Sequence, residues 1–297
     1  MAQYDLLVIG SGPAGQKAAV QAAKLGKKVG IIERKAVVGG VSTNTGTIPS
    51  KALREAVLYL SGFRQRNLYG TGYRLKETVT IEDLAFRSNH IIKNEIEIVK
   101  DQMVRNRIDL IFGEARFVDP HRLLVQQAGT ATEHYAHVIV IAVGTVPTRP
   151  ADIPFDGDTI IDTDGLITLK RLPTSIIIVG GGVIGTEYAS ILAMIGVKVV
   201  LIDKRPRLLE FVDAQIIDAL QRQMTDIGVT LYHEEEVVAI RKESDGQVTV
   251  SLTHRPPITA TTLMYAIGRI GATQRLNLAS VGITPDARGR VIVNEHF

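Results

Sequence analysis

Residues 5–33 and 175–203 lie over each other without a gap at a constant offset of 170. The first reads DLLVIGSGPAGQKAAVQAAKLGKKVGIIE and the second SIIIVGGGVIGTEYASILAMIGVKVVLID. Gly10, Gly12, Gly15, Ala19, Gly26, Lys28 and Val29 fall on Gly180, Gly182, Gly185, Ala189, Gly196, Lys198 and Val199, and both stretches end in an acid, Glu33 and Asp203. A solenoid repeats every roughly 20–50 residues. One supersecondary unit used twice at this much longer distance instead marks two domains. Each copy opens with a continuous apolar run (Leu6 to Ile9, Ile176 to Val179), as a strand buried on both faces requires. A glycine turn, an Ala-rich amphipathic stretch of helical length and a second apolar strand follow. Gly26 and Gly196 stand where such a helix would end. The pattern predicts strand–turn–helix–strand with parallel strands and a right-handed crossover.

The rest of the chain is read around these copies. Helical periodicity covers residues 50–64 and 82–107, short strands broken by Asp-Pro and Gln-Ala-Gly cover 109–140, and a proline-bearing stretch at 145–158 reads as the crossing between domains. A helix is predicted over 213–227 and strands over 237–263. The expected fold class is α/β, with two Rossmann-like dinucleotide-binding domains, each a parallel sheet with a small β meander. The expected boundaries are 1–150, an inserted 151–270, and a return at 271–297.

In G-x-G-x-x-G the first glycine permits the tight turn, the second lets backbone approach a pyrophosphate, and the third lets helix and strand pack closely. The helix N-terminus offers free N–H groups and partial positive charge to that diphosphate. Glu33 and Asp203, at matching places after the first glycine, are positioned to accept hydrogen bonds from adenosine ribose hydroxyls. A single match would be no more than a tight strand–helix connection. Here both copies carry the preceding strand, the following helix and the acid, and the intact second glycine triplet argues against a decayed duplicate. Two dinucleotides in one chain suggest electron transfer between them.

Composition narrows the chemistry. With 297 residues, 45% of them apolar and 22% charged, the chain can bury a large core. The formal net charge is +3 with the signs mixed along the chain, so nucleic acid is an unlooked-for partner despite a pI of about 9.0. No apolar run reaches the eighteen or so residues of a membrane span, and the N-terminus has no basic leader region. A soluble cytoplasmic protein with no membrane association is expected. There is no cysteine, which excludes disulfides, thiolate nucleophiles and thiolate metal sites. The seven histidines show no paired ligand spacing, so no metal is expected and all seven are read as surface or packing residues.

Residues 39–56, GGVSTNTGTIPSKALREA, complete a set with Gly10-Ser-Gly-Pro-Ala-Gly15, Ala142-Val-Gly-Thr145, Gly180–Gly185 and Ala266-Ile-Gly-Arg269. The set resembles the pyridine nucleotide–disulfide oxidoreductase family of flavoproteins over nearly the whole chain. The resemblance implies that FAD is held by Gly10, Gly12, Pro13, Ala14, Gly15, Glu33, Arg34, Gly40 and Lys51. It implies that NAD(H) and NADP(H) are substrates held by Gly180, Gly182, Val183, Ile184, Gly185, Asp203, Lys204 and Arg205. Gly144 and Gly268 then close the two nucleotide-binding subdomains. Lys51 is by resemblance the lysine beside the flavin, and Glu187 the glutamate that pairs with it; on the residues alone they read as a solvated helix cation and an acid favoured by a helix dipole.

One departure redirects the expected reaction. Disulfide reductases of this family carry C-x-x-x-x-C where this chain has Ser42 and Thr47. Without a dithiol relay, hydride exchange between nicotinamide and flavin remains. The segment GTIPSK at 46–51 is most similar to the subgroup of soluble pyridine nucleotide transhydrogenases, which implies ping-pong hydride transfer between NADPH and NAD⁺ at one nicotinamide site. The alternatives are a diaphorase or lipoamide-dehydrogenase-like flavoprotein that has lost its cysteines, and a nucleotide-binding fragment without turnover. Asp203 favours NAD(H), whereas Lys204, Arg205 and Arg207 suit a 2′-phosphate; a site that takes both nucleotides would carry such a compromise. By resemblance, family members continue past residue 297 into a second FAD motif and a C-terminal interface domain. Residues 271–297 are therefore expected to be an incomplete return, with a homodimer expected only for the full-length family member.

Overall fold

A computed structural model of the chain describes residues 2–70 and 72–297. Met1 and Thr71 lie outside the described residues. The first copy of the repeat forms β1 (Ala2–Ile9), α1 (Pro13–Lys24) and β2 (Val29–Glu33). Four helices follow: α2 (Gly40–Asn44), α3 (Thr47–Leu60), α4 (Arg66–Tyr69) and α5 (Ile81–Arg105). Next come β3 (Asp109–Phe112), β4 (Glu114–Asp119), β5 (Arg122–Gln127), β6 (Thr130–Ile141) and β7 (Thr145–Pro147). After β8 (Ile160–Asp162), the second copy forms β9 (Ser175–Val179), α6 (Val183–Met194) and β10 (Lys198–Ile202). The last elements are α7 (Ala214–Asp226), β11 (Val229–Tyr232), β12 (Val237–Lys242), β13 (Val248–Leu252), β14 (Ile258–Ala260), β15 (Thr262–Tyr265) and β16 (Arg269–Gly271).

The chain divides into two compact units. The first comprises Met1–Pro49, His90–Val146 and Arg269–Phe297. Its six-stranded sheet has the order β3-β2-β1-β6-β5-β4. β3, β2, β1 and the C-terminal half of β6 run parallel, and the N-terminal half of β6 turns into an antiparallel meander with β5 and β4. Leu7, Ile9 and Ile32 face one core with Phe117 and Leu123; Val8 and Ile31 face another with Ala19 and Met103. Burial on both faces is why β1 and β2 are continuously apolar.

The second unit comprises Ser50–Asn89 and Pro147–Gly268. Its five-stranded sheet, β11-β10-β9-β15-β8, is parallel throughout. A three-stranded antiparallel sheet, β12-β13-β14, lies with it. The order β11-β10-β9-β15 reproduces β3-β2-β1-β6, so the repeat extends to strand order as well as to sequence. Both units are thus Rossmann-like parallel sheets, each with a small meander.

The expected span 1–150 does not stay in one unit: Ser50–Asn89 packs with the second. The reason is the apolar face it presents. Leu53, Ala56, Val57 and Leu84 are buried in one cluster with Ile176, Ile178, Tyr188 and Leu192. Each fully buried aliphatic side chain contributes about 1.5–3 kcal/mol, so this face fixes where the segment sits. Among the described residues no helix is long and apolar enough to cross a membrane.

Candidate functional site

The two glycine turns stand at the carboxyl ends of β1 and β9, where open α/β sheets bind ligands. The Gly10 and Gly180 N–H groups donate to the carbonyls of Ile32 and Ile202, 2.8 Å each. Gly10 has φ +107° and Gly180 φ +110°, a region open to glycine. A Cβ on Gly10 would be driven into the Ala142 carbonyl, and one on Gly180 would lie 2.6 Å from the Ala266 oxygen. Gly15 and Gly185 each sit so close to the carbonyl of the turn's first glycine that a Cβ would overlap it. The third glycine is therefore a packing requirement in both copies.

The helices that follow begin uncapped. Gly12 and Gly182 are the N-cap residues, neither start has a side-chain cap, and neither first turn holds an acid. By contrast, α7 is capped by the Asp213 carboxylate, which accepts the Gln215 and Ile216 N–H groups. Space is open at both glycine turns: a Cβ on Gly182 would meet nothing within 4 Å, and one on Gly12 only the Gly40 Cα at 3.9 Å. Free N–H groups, the positive end of a helix and room for backbone approach together fit a diphosphate. Pro13, Ala14 and Val183 are exposed at these helix starts and Ile184 is half-buried.

Glu33 and Asp203 are both buried and are held from equivalent backbone positions. Glu33 Oε2 accepts the Ser11 N–H at 3.1 Å and the Ser11 hydroxyl at 2.5 Å, and Oε1 accepts the Lys35 N–H at 2.9 Å. The Ser11 hydroxyl in turn accepts the Gly39 N–H at 3.1 Å. Gly40 packs against the same turn, where a Cβ would lie 2.7 Å from the Gly12 Cα. In the second copy, Asp203 Oδ2 accepts the Gly181 N–H and Arg205 Nη2 (2.7 Å), while Oδ1 accepts the Arg205 N–H (2.9 Å) and Nε (2.8 Å). Burial pushes the Asp203 carboxyl upward, but the bonds from Arg205 and Gly181 outweigh it and hold it below the usual carboxylate range.

Lys51 and Glu187 meet within the second unit. Lys51 Nζ donates to Glu187 Oε1 at 2.5 Å, and the buried Ser50 hydroxyl donates to the same oxygen at 3.3 Å. Lys51 is more than half exposed and Glu187 mostly covered, so the lysine is the solvent-facing partner and the glutamate the more sheltered one. Helix α3, which carries Lys51, starts at Thr47, and Ser42 lies in α2. Two hydroxyls thus stand at the positions where the family resemblance places a redox pair.

The remaining expected residues are placed as follows. The Gly144 carbonyl accepts the Ala272 N–H and the Gly268 carbonyl the Thr148 N–H, 3.0 Å each. Arg34 and Lys204 are exposed, and Arg207 lies 3.7 Å from Asp218. Sequence reasoning passed over Ser11, Gln16, Gly39 and Gly181. Gln16 Nε2 donates to the Ser11 carbonyl at 2.7 Å, so the turn is held by side chains on both sides. The signal for Ser11 was available: it is the one polar side chain inside Gly10–Gly15. Among the described residues no group of three His, Cys, Asp or Glu side chains could hold a metal ion.

The family profile described as pyridine nucleotide-disulphide oxidoreductase matches residues 4–297. A soluble pyridine nucleotide transhydrogenase of Mycobacterium bovis BCG is 48% identical over 302 residues, covering 100% of this chain and 64% of that protein. One from Colwellia psychrerythraea is 40% identical, with 99% and 63% covered. Among solved structures, the Cu(II) complex of an HOCl-induced flavoprotein disulfide reductase from Escherichia coli superposes with a TM-score of 0.86 at 30% identity, covering 99% of this chain and 63% of that one. The chain therefore spans a little under two thirds of these relatives' length.

Proposed function

The chain belongs to the pyridine nucleotide-disulphide oxidoreductase family, and from that premise we propose that it carries the two dinucleotide sites of a soluble pyridine nucleotide transhydrogenase, which moves a hydride between NADPH and NAD⁺. The observation that carries this reading is the pair of equivalent, uncapped glycine turns, one in each unit. The first turn, with Ser11, Glu33 and Gly40, would hold FAD, and the second, with Asp203 and Arg205, the nicotinamide nucleotides. FAD, when bound there, would supply a two-electron carrier for hydride. The protein's own groups would bind and orient: the uncapped helix N-termini would receive the diphosphates, and Glu33 would offer an acceptor to a ribose hydroxyl. The Glu187 carboxylate aims the Lys51 ammonium and gives that position a directed positive charge. Ser42 and Thr47 cannot form a disulfide or a thiolate, so reduction of a thiol substrate by a dithiol relay is not part of this reading. NADPH and NAD⁺ then use the second turn one after the other, in a ping-pong order.

The test is transfer itself. The purified chain is saturated with FAD, its flavin absorbance recorded, and NADPH added with a spectrally distinct NAD⁺ analogue. Formation of the reduced analogue without net consumption of an external oxidant supports the proposal. Dye reduction without nucleotide-to-nucleotide transfer, or nucleotide binding without retained flavin, overturns it.

A further inference from the structure

The hydrogen bonds around Asp203 assign it a role other than ribose recognition. A carboxylate has about four acceptor positions, and all four are taken: two by the N–H groups of Gly181 and Arg205, two by the Arg205 guanidinium. A 2′-hydroxyl has no acceptor left on this group unless Arg205 leaves. At Glu33, the equivalent residue of the first copy, three donors are found among the described residues, and Oε1 takes only the Lys35 N–H. The first acid is open to a hydroxyl and the second is closed to it.

The guanidinium is the half of the pair that remains available. Arginine has five N–H bonds, and the fork onto Asp203 uses Nε–H and one on Nη2. That leaves three, on a side chain about one-third exposed and fixed in direction by its bidentate bond. We propose that Asp203 is a positioning residue for Arg205, and that the pair is the specificity element of the second turn: its outward N–H groups take the 2′-phosphate of NADP(H), while its neutral sum admits NAD(H) without reading the 2′-hydroxyl. A bare acid at the same place would repel the phosphate. This inference rests on the reading that the second turn takes nicotinamide nucleotides.

The measurement is equilibrium titration of the FAD-saturated protein with NADP⁺ and NAD⁺ separately, with no turnover involved. Arg205→Ala is expected to weaken NADP⁺ about 30-fold, the size of one lost charge-assisted pair. It leaves NAD⁺ equal or tighter, because the freed Asp203 now accepts the hydroxyl. Any tightening of NAD⁺ disappears in the double variant Asp203→Asn/Arg205→Ala, which also removes the buried bare charge should the single variant fold poorly. Arg205→Lys keeps the charge, loses the fork, and falls between wild type and Arg205→Ala. Asp203→Asn alone weakens NAD⁺ by less than about twofold. The proposal is overturned if Asp203→Asn weakens NAD⁺ tenfold or more, or if Arg205→Ala weakens both nucleotides equally. If the wild type binds neither nucleotide, the assignment of the second turn fails instead. If it binds both and Arg205→Ala shows the expected split but no hydride transfer occurs, the specificity element stands without the transhydrogenase reading.

Discussion

Ser11 and Gly181 occupy the same place in the two glycine turns, and the difference between them carries through to the acids behind them. Both turns use the same backbone frame, in which the acid accepts the N–H of the residue after the first glycine and its own i+2 N–H. In the first copy a serine hydroxyl fills one further position and links the acid to Gly39. In the second copy there is no side chain to do so. A Cβ on Gly181 would overlap Leu208 and stand 2.9 Å from Asp203 Oδ2, and the Arg205 fork takes the open positions instead. A duplicated scaffold thus keeps its backbone hydrogen bonds while one side chain on either side of the acid decides what the acid can still receive.

The strongest way to break the comparison is to close each turn separately. Gly15→Ala and Gly185→Ala each force a methyl group into the carbonyl of the same turn, a clash of about 3 kcal/mol or more if the backbone must move. Gly15→Ala is expected to abolish retained flavin absorbance while NADP⁺ binding survives; Gly185→Ala is expected to do the reverse. Loss of both ligands in both variants would show that the turns are not independent sites.

Smaller effects are expected at the ion pair. Glu187→Gln removes the charge that aims Lys51 but keeps an acceptor, and the rate of flavin reduction by NADPH should fall about tenfold with nucleotide affinity nearly unchanged. Stopped-flow bleaching of the flavin band reads this directly; an equal loss in affinity and rate would make the pair structural. Ser11→Ala removes a donor to Glu33 and an acceptor from Gly39, both buried, and should cost about 1–2 kcal/mol in urea unfolding. Because Gly181 makes no side-chain bond, the first turn would then be chemically nearer to the second.

The smallest effect is expected in acid. Asp156 lies in the second unit with its carboxyl held at about 2: burial opposes the charge, but Lys242 and three backbone N–H groups outweigh it. Since the folded value lies below the unfolded value near 3.9, this contribution is complete above about pH 4 and is lost as pH falls from 4 toward 2. Asp156 stands at an exposed position, so solvent screening leaves this contribution at about 0.5 kcal/mol. Asp203 changes with the same sign. Asp156→Asn should flatten the fall in unfolding free energy over that window, and an unchanged slope would remove Asp156 from the acid response.

Much of this fold is legible in the residues because its constraints are local. A strand buried on both faces must be apolar, a turn at φ near +110° must be glycine, and a helix packed on its own turn needs glycine at Gly15 and Gly185. Two copies at one offset make the inference of two such units strong. The pairing of Lys51 with Glu187 was reached through resemblance, and the geometry supplies its distance. The place of residues 50–89 was not legible, because the apolar face of α3 carries no label for its partner, and Ile176 and Leu192 lie more than a hundred residues away in sequence.

The sequence by itself determined the strand–turn–helix repeat, the glycines it needs, the acid after each copy and the hydroxyls at Ser42 and Thr47, since each is a requirement of neighbouring residues or of side-chain chemistry. Only the tertiary structure decided how many acceptor positions each acid retains. That count depends on where side chains come to rest: Ser11 turned onto Glu33, and Arg205 folded back onto Asp203. An arginine two residues after an acid can point to solvent, to a ligand or to that acid, and the choice is made by burial, which makes an unpaired carboxylate costly and so draws the guanidinium in.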